Sequence, residues 1–275
     1  MSAGTLLVIA TPIGNLADLS PRALEALRAA DLVACEDTRT TRTLLGHHGI
    51  TARTVALHEH NERAASAKLI SVLLQGKTVA LVSDAGTPGL SDPGALLVEA
   101  AHRAGVRVSP LPGPSAAAAA LSASGFAGER FLFAGFLPAA PAARRKALEA
   151  LELPWPVVLY EAPHRIAETL DDLRARFGDE REVLIARELT KLFEEVVRLR
   201  LADAPAWLAG SAHRQKGEFV LVVAPGGAAA PAADPERILK TLLEALAPSE
   251  AARLAARITG APRNALYRRA LELAK

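Results

Sequence analysis

The sequence predicts an α/β fold of two α/β domains followed by a small helical appendage. Three observations predict it. Over residues 1–125, five apolar strand-like runs alternate with five helical patterns across short loops, as a mostly parallel sheet with helices on its faces requires. Strand patterns resume over 126–225, but two of them, 183–186 and 196–201, are joined by a stretch too short for a crossover helix, so they are expected to pair antiparallel within a mixed sheet. A Gly/Ala/Pro linker at 226–233 then leads into 234–275, where only short helical patterns remain.

The elements follow in order. In the first domain the strands are Leu6–Ala10, Leu32–Cys35, Thr54–Leu57, Thr78–Val82 and Val106–Ser109. The helices are Pro21–Ala30, Thr40–His47, Glu62–Leu74, Pro93–Ala104 and Ser115–Ala123. Ser20 before Pro21 reads as an N-cap with proline at the first helical position. The pattern pauses between Gly125 and Arg130, which sets the domain boundary. The second domain carries strands Phe131–Phe136, Val157–Tyr160, Val183–Ala186, Val196–Leu201 and Glu218–Val223. The appendage has helices Pro235–Leu246, Ser249–Thr259 and Pro262–Ala274, with Ser249 as an N-cap and Gly260 as a C-cap. The last two flank Thr259–Asn264 as a helix-turn-helix pair.

Composition narrows the class. With 275 residues, half of them apolar and 23% charged, the chain has enough material for two cored domains. The single cysteine, Cys35, lies in an apolar run and reads as a buried thiol, so no internal disulfide forms and a cytosolic setting is expected. Val108–Gly128 is uncharged over 21 residues, yet its prolines, glycines and serines argue against a membrane span. No basic n-region opens the chain, so no signal peptide is read. Charge is uneven: residues 253–275 carry +5 and residues 1–252 carry −3. Arg253, Arg257, Arg263, Arg268 and Arg269 therefore point to a polyanion contact, or else to a solvated helix surface.

The loop Ser83-Asp84-Ala85-Gly86-Thr87-Pro88-Gly89-Leu90-Ser91-Asp92-Pro93-Gly94 is the most informative stretch. Its glycines and prolines let a ligand approach the backbone, and Asp84 sits at the carboxyl end of a strand, where open α/β sheets bind ligands. No lysine follows the glycines, so this is not a phosphate-cradling P-loop, and an acidic loop suits a neutral or cationic ligand. A tight turn with a helix-capping Asp or Ser is the plainer alternative. Thr11-Pro12-Ile13-Gly14 leaves the first strand with one glycine where a dinucleotide fingerprint needs three. Glu36-Asp37-Thr38-Arg39 and His58-Glu59-His60-Asn61-Glu62 leave the second and third strands on the same expected edge. Each alone reads as loop solvation; three polar clusters on one edge weaken that reading. The His/Glu run fits no standard zinc spacing, so no metal is expected. Pro112-Gly113-Pro114-Ser115-Ala116 offers either exposed helix N–H groups or a close helix–sheet contact. In the second domain Tyr160-Glu161, Arg187–Lys191 and Lys216–Phe219 set charged pairs beside rings, as a cation site or as plain salt bridges.

Taken together, T-P-I-G-N-L, C-E-D-T-R, H-x-H-N-E, V-S-D-A-G-T-P-G-L-S-D-P-G, L-P-G-P-S-A, G-F-L-P, Y-E-A-P-H-R, R-E-L-T-K and K-G-E-F-V-L run in order from Leu6 to Val223. In this register the chain resembles the bacterial small-subunit (16S) ribosomal RNA cytidine 2′-O-methyltransferases of the tetrapyrrole methylase superfamily. The tail A-A-R-I-T-G-x-x-R-N-x-L-Y is similar to that family's helical appendage, departing from it at Ala261-Pro262. The resemblance implies S-adenosylmethionine in a cleft between the two domains. Pro12, Asp84, Ala85, Gly86, Leu90, Ser115, Ala116 and Phe136 would line it, with Tyr160 and Glu161 from the second domain. It also implies a homodimer, no metal and the ribose of a decoding-centre cytidine as substrate.

The residue chemistry agrees with that implication. A sulfonium donor is a cation without phosphate, and in-line methyl transfer depends on positioning. A ribose 2′-hydroxyl needs a nearby base. Glu36, Asp37, Arg39, His60 and Asn61 are the candidates for contacting the ribose and shaping that base, from their common strand-end place. Phosphate neutralisation falls to the tail arginines together with Arg144-Arg145-Lys146. The alternatives are a tetrapyrrole-precursor methylase on the same fold, a nucleic-acid-binding module without catalysis, and a metal-dependent nucleotide hydrolase.

Overall fold

The computed structural model describes residues 3–126, 128–226 and 235–273. Most of the expected linker and Lys275 of the basic tail lie outside the described residues. One compact unit runs to Ala224 and a second begins at Pro225.

The first sheet contains β1 (Thr5–Ile9), β2 (Leu32–Cys35), β3 (Thr54–Ala56), β4 (Val79–Val82) and β5 (Arg107–Leu111). Their order is β3-β2-β4-β1-β5, every pairing parallel. Parallel strands put all five carboxyl ends on one edge, where the polar clusters were expected. β2 and β4 are buried along their whole length because helices cover both faces. On one face Leu32, Ala34, Val79 and Leu81 pack against α3 (Glu62–Leu74) and α4 (Ala95–Arg103). On the other, Val33, Cys35, Ala80 and Val82 meet α1 (Pro21–Ala29) and α2 (Thr38–His47). Ser20 caps α1 by accepting from the Ala23 N–H, with Pro21 opening the helix. Cys35 is buried, and burial pushes its thiol pKa up.

α5 (Ala116–Ser124) closes the first α/β run but packs on the second sheet. Its Ala117 and Ala120 sit against Val158, Leu184, Ala186, Val220 and Val222. The alanine run lets the helix lie close to that sheet, and this packing joins both sheets in one compact unit.

The second sheet contains β6 (Leu132–Phe136), β7 (Val157–Glu161), β8 (Glu182–Arg187), β9 (Glu195–Arg200) and β10 (Phe219–Val223), in the order β6-β7-β10-β8-β9. β6 and β7 are parallel and the other pairings antiparallel, with β8 and β9 forming the expected antiparallel pair. The face away from α5 packs on α6 (Pro141–Glu149), α7 (Ile166–Phe177) and α8 (Ala204–Ala209), three helices that the sequence pattern does not assign. Contrary to expectation, Arg144 is no surface cation for RNA. It is 2% exposed, bonded to Asp172 at 2.6 Å and Glu168 at 3.1 Å, as α6 lies on α7.

The second unit is a cluster of α9 (Pro235–Leu243), α10 (Pro248–Thr259) and α11 (Arg263–Leu273). Its small core gathers Leu239, Ala251, Ala252, Ala255, Leu266 and Ala270. Gly260 ends α10 at φ 73°, the left-handed C-cap expected of it. The N-cap is Ala247 rather than Ser249, because Pro248 takes the first helical position, where its missing N–H costs nothing.

No helix among the described residues is long and apolar enough to cross a membrane.

Candidate active site

The carboxyl edge of the first sheet opens onto a cavity of about 490 Å³ whose far wall comes from the second sheet. That volume suits a small-molecule ligand. Ile13, Ala85, Gly86, Leu90 and Asp92 come from loops after β1 and β4, and Ser115 and Ala116 from the start of α5. Phe136, Tyr160, Glu161, Leu189, Glu218 and Val220 come from the second sheet and its loops. Eight of the ten residues expected to hold the donor thus gather in one cavity. Pro12 and Asp84 line a neighbouring cavity of about 320 Å³ instead, with Ser83, Thr40 and Leu44.

Local chemistry explains how the loops hold their shape. Thr11 and Gly86 exchange backbone hydrogen bonds, and the Ser83 hydroxyl donates to the Gly86 carbonyl at 3.0 Å. Gly86 sits at φ +85°, a conformation that a side chain at this turn would strain. Neither an Asp nor a Ser of the loop caps α4. Its first N–H groups are held by Glu62, whose Oε1 accepts from Gly94 at 2.8 Å and Leu96 at 3.0 Å. Glu62 therefore serves the fold. Ser115 caps α5 by accepting from the Ala118 N–H.

The strand-end candidates divide by role. Asp37 caps α2 and pairs with Arg39 at 2.6 Å, which holds its carboxyl down at about 2. Its own N–H donates to Asp84 Oδ1 at 3.0 Å. Asn61 locks the turn after β3, accepting from the His58 N–H and donating to the Ala56 carbonyl. His60 is exposed and meets His58 edge to face at 6.1 Å. Burial and the nearby Asp84 raise the Glu36 carboxyl. Sequence reasoning passed over Asp92. Burial first, then the Glu36 and Asp84 charges, push its carboxyl up to about 6, against a hydrogen bond from Ser83. The available signal was its place two residues after the lining Leu90. No group of three or more His, Cys, Asp and Glu able to hold a metal occurs among the described residues.

In the second wall, Glu161 is buried, accepting from Thr169 Oγ1 at 2.6 Å and the Ala162 N–H at 2.8 Å, with Arg165 at 3.2 Å. Glu188, Lys191 and Glu218 form an ion triad at 2.9 Å each side of the lysine. The charged pairs here are thus salt bridges, and they brace the loop carrying Leu189. Tyr160 stands edge to face with Phe133 and Phe136, and burial raises its hydroxyl pKa.

All five tail arginines are exposed. Arg269 pairs with Glu236 and Glu272, and Arg253 with Glu250. Arg257, Arg263 and Arg268 have no ion-pair partner among the described residues.

Residues 5–205 match the family model described as Tetrapyrrole (Corrin/Porphyrin) Methylases. The chain belongs to the tetrapyrrole methylase family. Residues 229–274 match a second model, the RsmI C-terminal HTH domain. Solved tetrapyrrole-methylase-like structures share the fold. A diphthine synthase aligns at TM-score 0.60 and 20% identity, covering 80% of this chain and 90% of its own. A uroporphyrin-III-C-methyltransferase from Thermus thermophilus aligns at TM-score 0.57 and 24% identity, covering 80% and 94%. Among curated methylases of this family, a protein of Xylella fastidiosa (strain Temecula1) is 54% identical over 96% of this chain and 98% of its own. One from Pseudomonas aeruginosa is 51% identical over 99% and 98%, and one from Escherichia coli O157:H7 is 49% identical over 98% and 96%. All three are named ribosomal RNA small subunit methyltransferase I.

Proposed function

We propose that this protein transfers the methyl group of S-adenosylmethionine to the ribose 2′-hydroxyl of a decoding-centre cytidine in 16S ribosomal RNA. The observation that carries the reading is likeness across nearly the whole chain: 54% identity to a small-subunit rRNA methyltransferase over 96% of its residues, with the C-terminal helical unit included in the match.

The cavity fits such a donor. Three carboxylates, Asp92, Glu161 and Glu218, stand in its lining, and no lysine or arginine does. That wall favours a cation and repels a phosphate. The backbone at Gly86, which has no side chain and sits at φ +85°, and the small residues Ser115 and Ala116 at the start of α5 admit close approach. Ala85, Gly86, Leu90, Ser115, Ala116, Phe136, Tyr160 and Glu161 would hold the donor, and Asp84 would fix the loop that carries the first of them. When bound, the donor supplies an electrophilic methyl group on a positively charged sulfur. The apolar side chains of Ile13, Leu189 and Val220 in the lining would lower the local dielectric around a bound donor, which strengthens the carboxylates' attraction for positive charge. A tetrapyrrole precursor is a polycarboxylate and would want arginines in this lining.

The same reading places the protein in the cytoplasm, as a homodimer acting on the small ribosomal subunit, with Arg257, Arg263 and Arg268 on the RNA backbone. Calorimetry with S-adenosylmethionine, followed by transfer of its labelled methyl group to small subunits or to a porphyrin precursor, tests it. Label in 16S RNA alone is the expected result. Label in the porphyrin precursor would replace the substrate, and absence of donor binding would leave a nucleic-acid-binding module.

A further inference from the structure

The three carboxylates of the cavity wall differ in what faces them. Glu161 faces Arg165, and Glu218 faces Lys191. Asp92, on the loop between β4 and α4, has no cationic partner among the described residues. Glu36 and Asp84 approach it from neighbouring strand ends, Tyr160 stands near it from β7, and among the described residues the Ser83 hydroxyl favours its charged form. His58 lies beyond, beside Glu36. Among lining carboxylates Asp92 alone is therefore both open to the cavity and uncommitted to a salt bridge.

The strand-end residues are spoken for in other ways. Asp37 is a helix cap held by Arg39, with little affinity left for a proton. Asn61 has no proton to exchange and locks a turn. Arg39 is a cation, and neither Glu36 nor His60 lines the cavity.

We infer that Asp92 accepts the proton of the ribose 2′-hydroxyl during methyl transfer, an inference that rests on the function proposed above. As the 2′-oxygen forms its bond to the methyl carbon, the carbon–sulfur bond breaks with its electron pair going to sulfur. The sulfonium becomes a neutral thioether, and the hydroxyl proton passes to the Asp92 carboxylate, which later releases it to water. A carboxyl at about 6 is ionised at neutral pH yet retains enough proton affinity to take one, the compromise that makes a base effective.

The test compares wild type, Asp92→Asn and Asp92→Ala in single-turnover methylation of small subunits lacking the modification, at saturating donor. The wild-type rate should rise with pH through an inflection near 6 and then level off. Asp92→Asn should be slower by roughly 10²–10⁴-fold and lose the inflection, with a loss of donor affinity by calorimetry far smaller than the loss of rate. Added formate should restore part of the rate to Asp92→Ala. A ¹³C NMR titration, which needs no turnover, should find one aspartate carboxyl near 6 that is missing from Asp92→Asn. Asp92→Asn keeping the wild-type rate and pH profile overturns the inference. So does a loss of donor affinity as large as the loss of rate, which makes Asp92 a donor-binding group. A wild-type protein that binds donor but labels no rRNA overturns the parent reading, and this inference with it.

Discussion

The Asp37 N–H donates to Asp84 Oδ1 at 3.0 Å, tying the end of β2 to the loop that follows β4. One carboxylate oxygen thus sets the spacing of two acidic loops. Asp84→Ala leaves that N–H without its acceptor, and hydrogen bonds to charged groups contribute about 1.5–3 kcal/mol. Denaturant titration should show Asp84→Ala destabilised by an amount in that range and Asp84→Asn, which keeps an oxygen in place, close to wild type. Equal midpoints for Asp84→Ala and wild type would remove the tie.

Gly14 marks a second tie, between the loop after β1 and the loop after β8. A Cβ there would lie 2.4 Å from Lys191 Cγ, 2.9 Å from Thr190 Oγ1 and 3.0 Å from the Leu189 carbonyl. The neighbouring Asn15 N–H donates to Thr190 Oγ1 at 3.1 Å. Gly14→Ala should push these loops apart at a cost of about 1–3 kcal/mol. Because Ile13 and Leu189 both line the cavity, calorimetry should also find weaker S-adenosylmethionine binding. Unchanged affinity in a destabilised variant would confine the contact to the fold.

The tail arginines should separate into two groups. Replacing Arg257, Arg263 and Arg268 with alanine should weaken RNA binding and lower the slope of log affinity against log salt by about 0.7–1 for each phosphate no longer neutralised. Arg269→Ala should act on the thermal stability of the helical unit, since Arg269 holds Glu236 and Glu272 at 2.7 and 2.8 Å. Filter binding across a salt series with melting curves checks both. A truncation before residue 234 should keep donor binding and lose RNA affinity.

Asp92 carries a pH-dependent stability cost. Its folded carboxyl titrates near 6, above its ordinary value of 3.8, so the folded state holds that proton more tightly than the unfolded chain does. Stability is therefore greatest below the unfolded value and falls as pH rises through about 6. Asp92→Asn removes that cost. At pH 8 it should be more stable than wild type by about 1 kcal/mol, less than a two-unit shift implies because the carboxyl is partly open to water. The gap should close below about pH 4, where both forms are uncharged. A gap that widens on acidification would contradict the assignment.

The parallel sheet was legible because strands covered on both faces are apolar throughout: Leu32–Cys35 reads from sequence as it is built. The strand-end clusters followed from that edge. Long-range partners were not legible. Nothing near Glu62 announces that it caps a helix beginning 33 residues later, and the uniform alanines of α5 carry no periodicity to say which sheet they face. Arg144 looks like part of a surface basic run until α6 is laid on Asp172 and Glu168. Asp92 looks like one more loop aspartate, since its environment is assembled from the ends of two strands and a facing tyrosine.

The most direct measurement of the central claim is the position of the methyl group. Small subunits from cells lacking this protein are incubated with it and labelled S-adenosylmethionine, and the 16S RNA is digested to nucleosides and analysed by mass spectrometry. The account predicts label on the ribose 2′-oxygen of a decoding-centre cytidine. Label on a base, at a nucleotide outside the decoding centre, or on no RNA at all would contradict it.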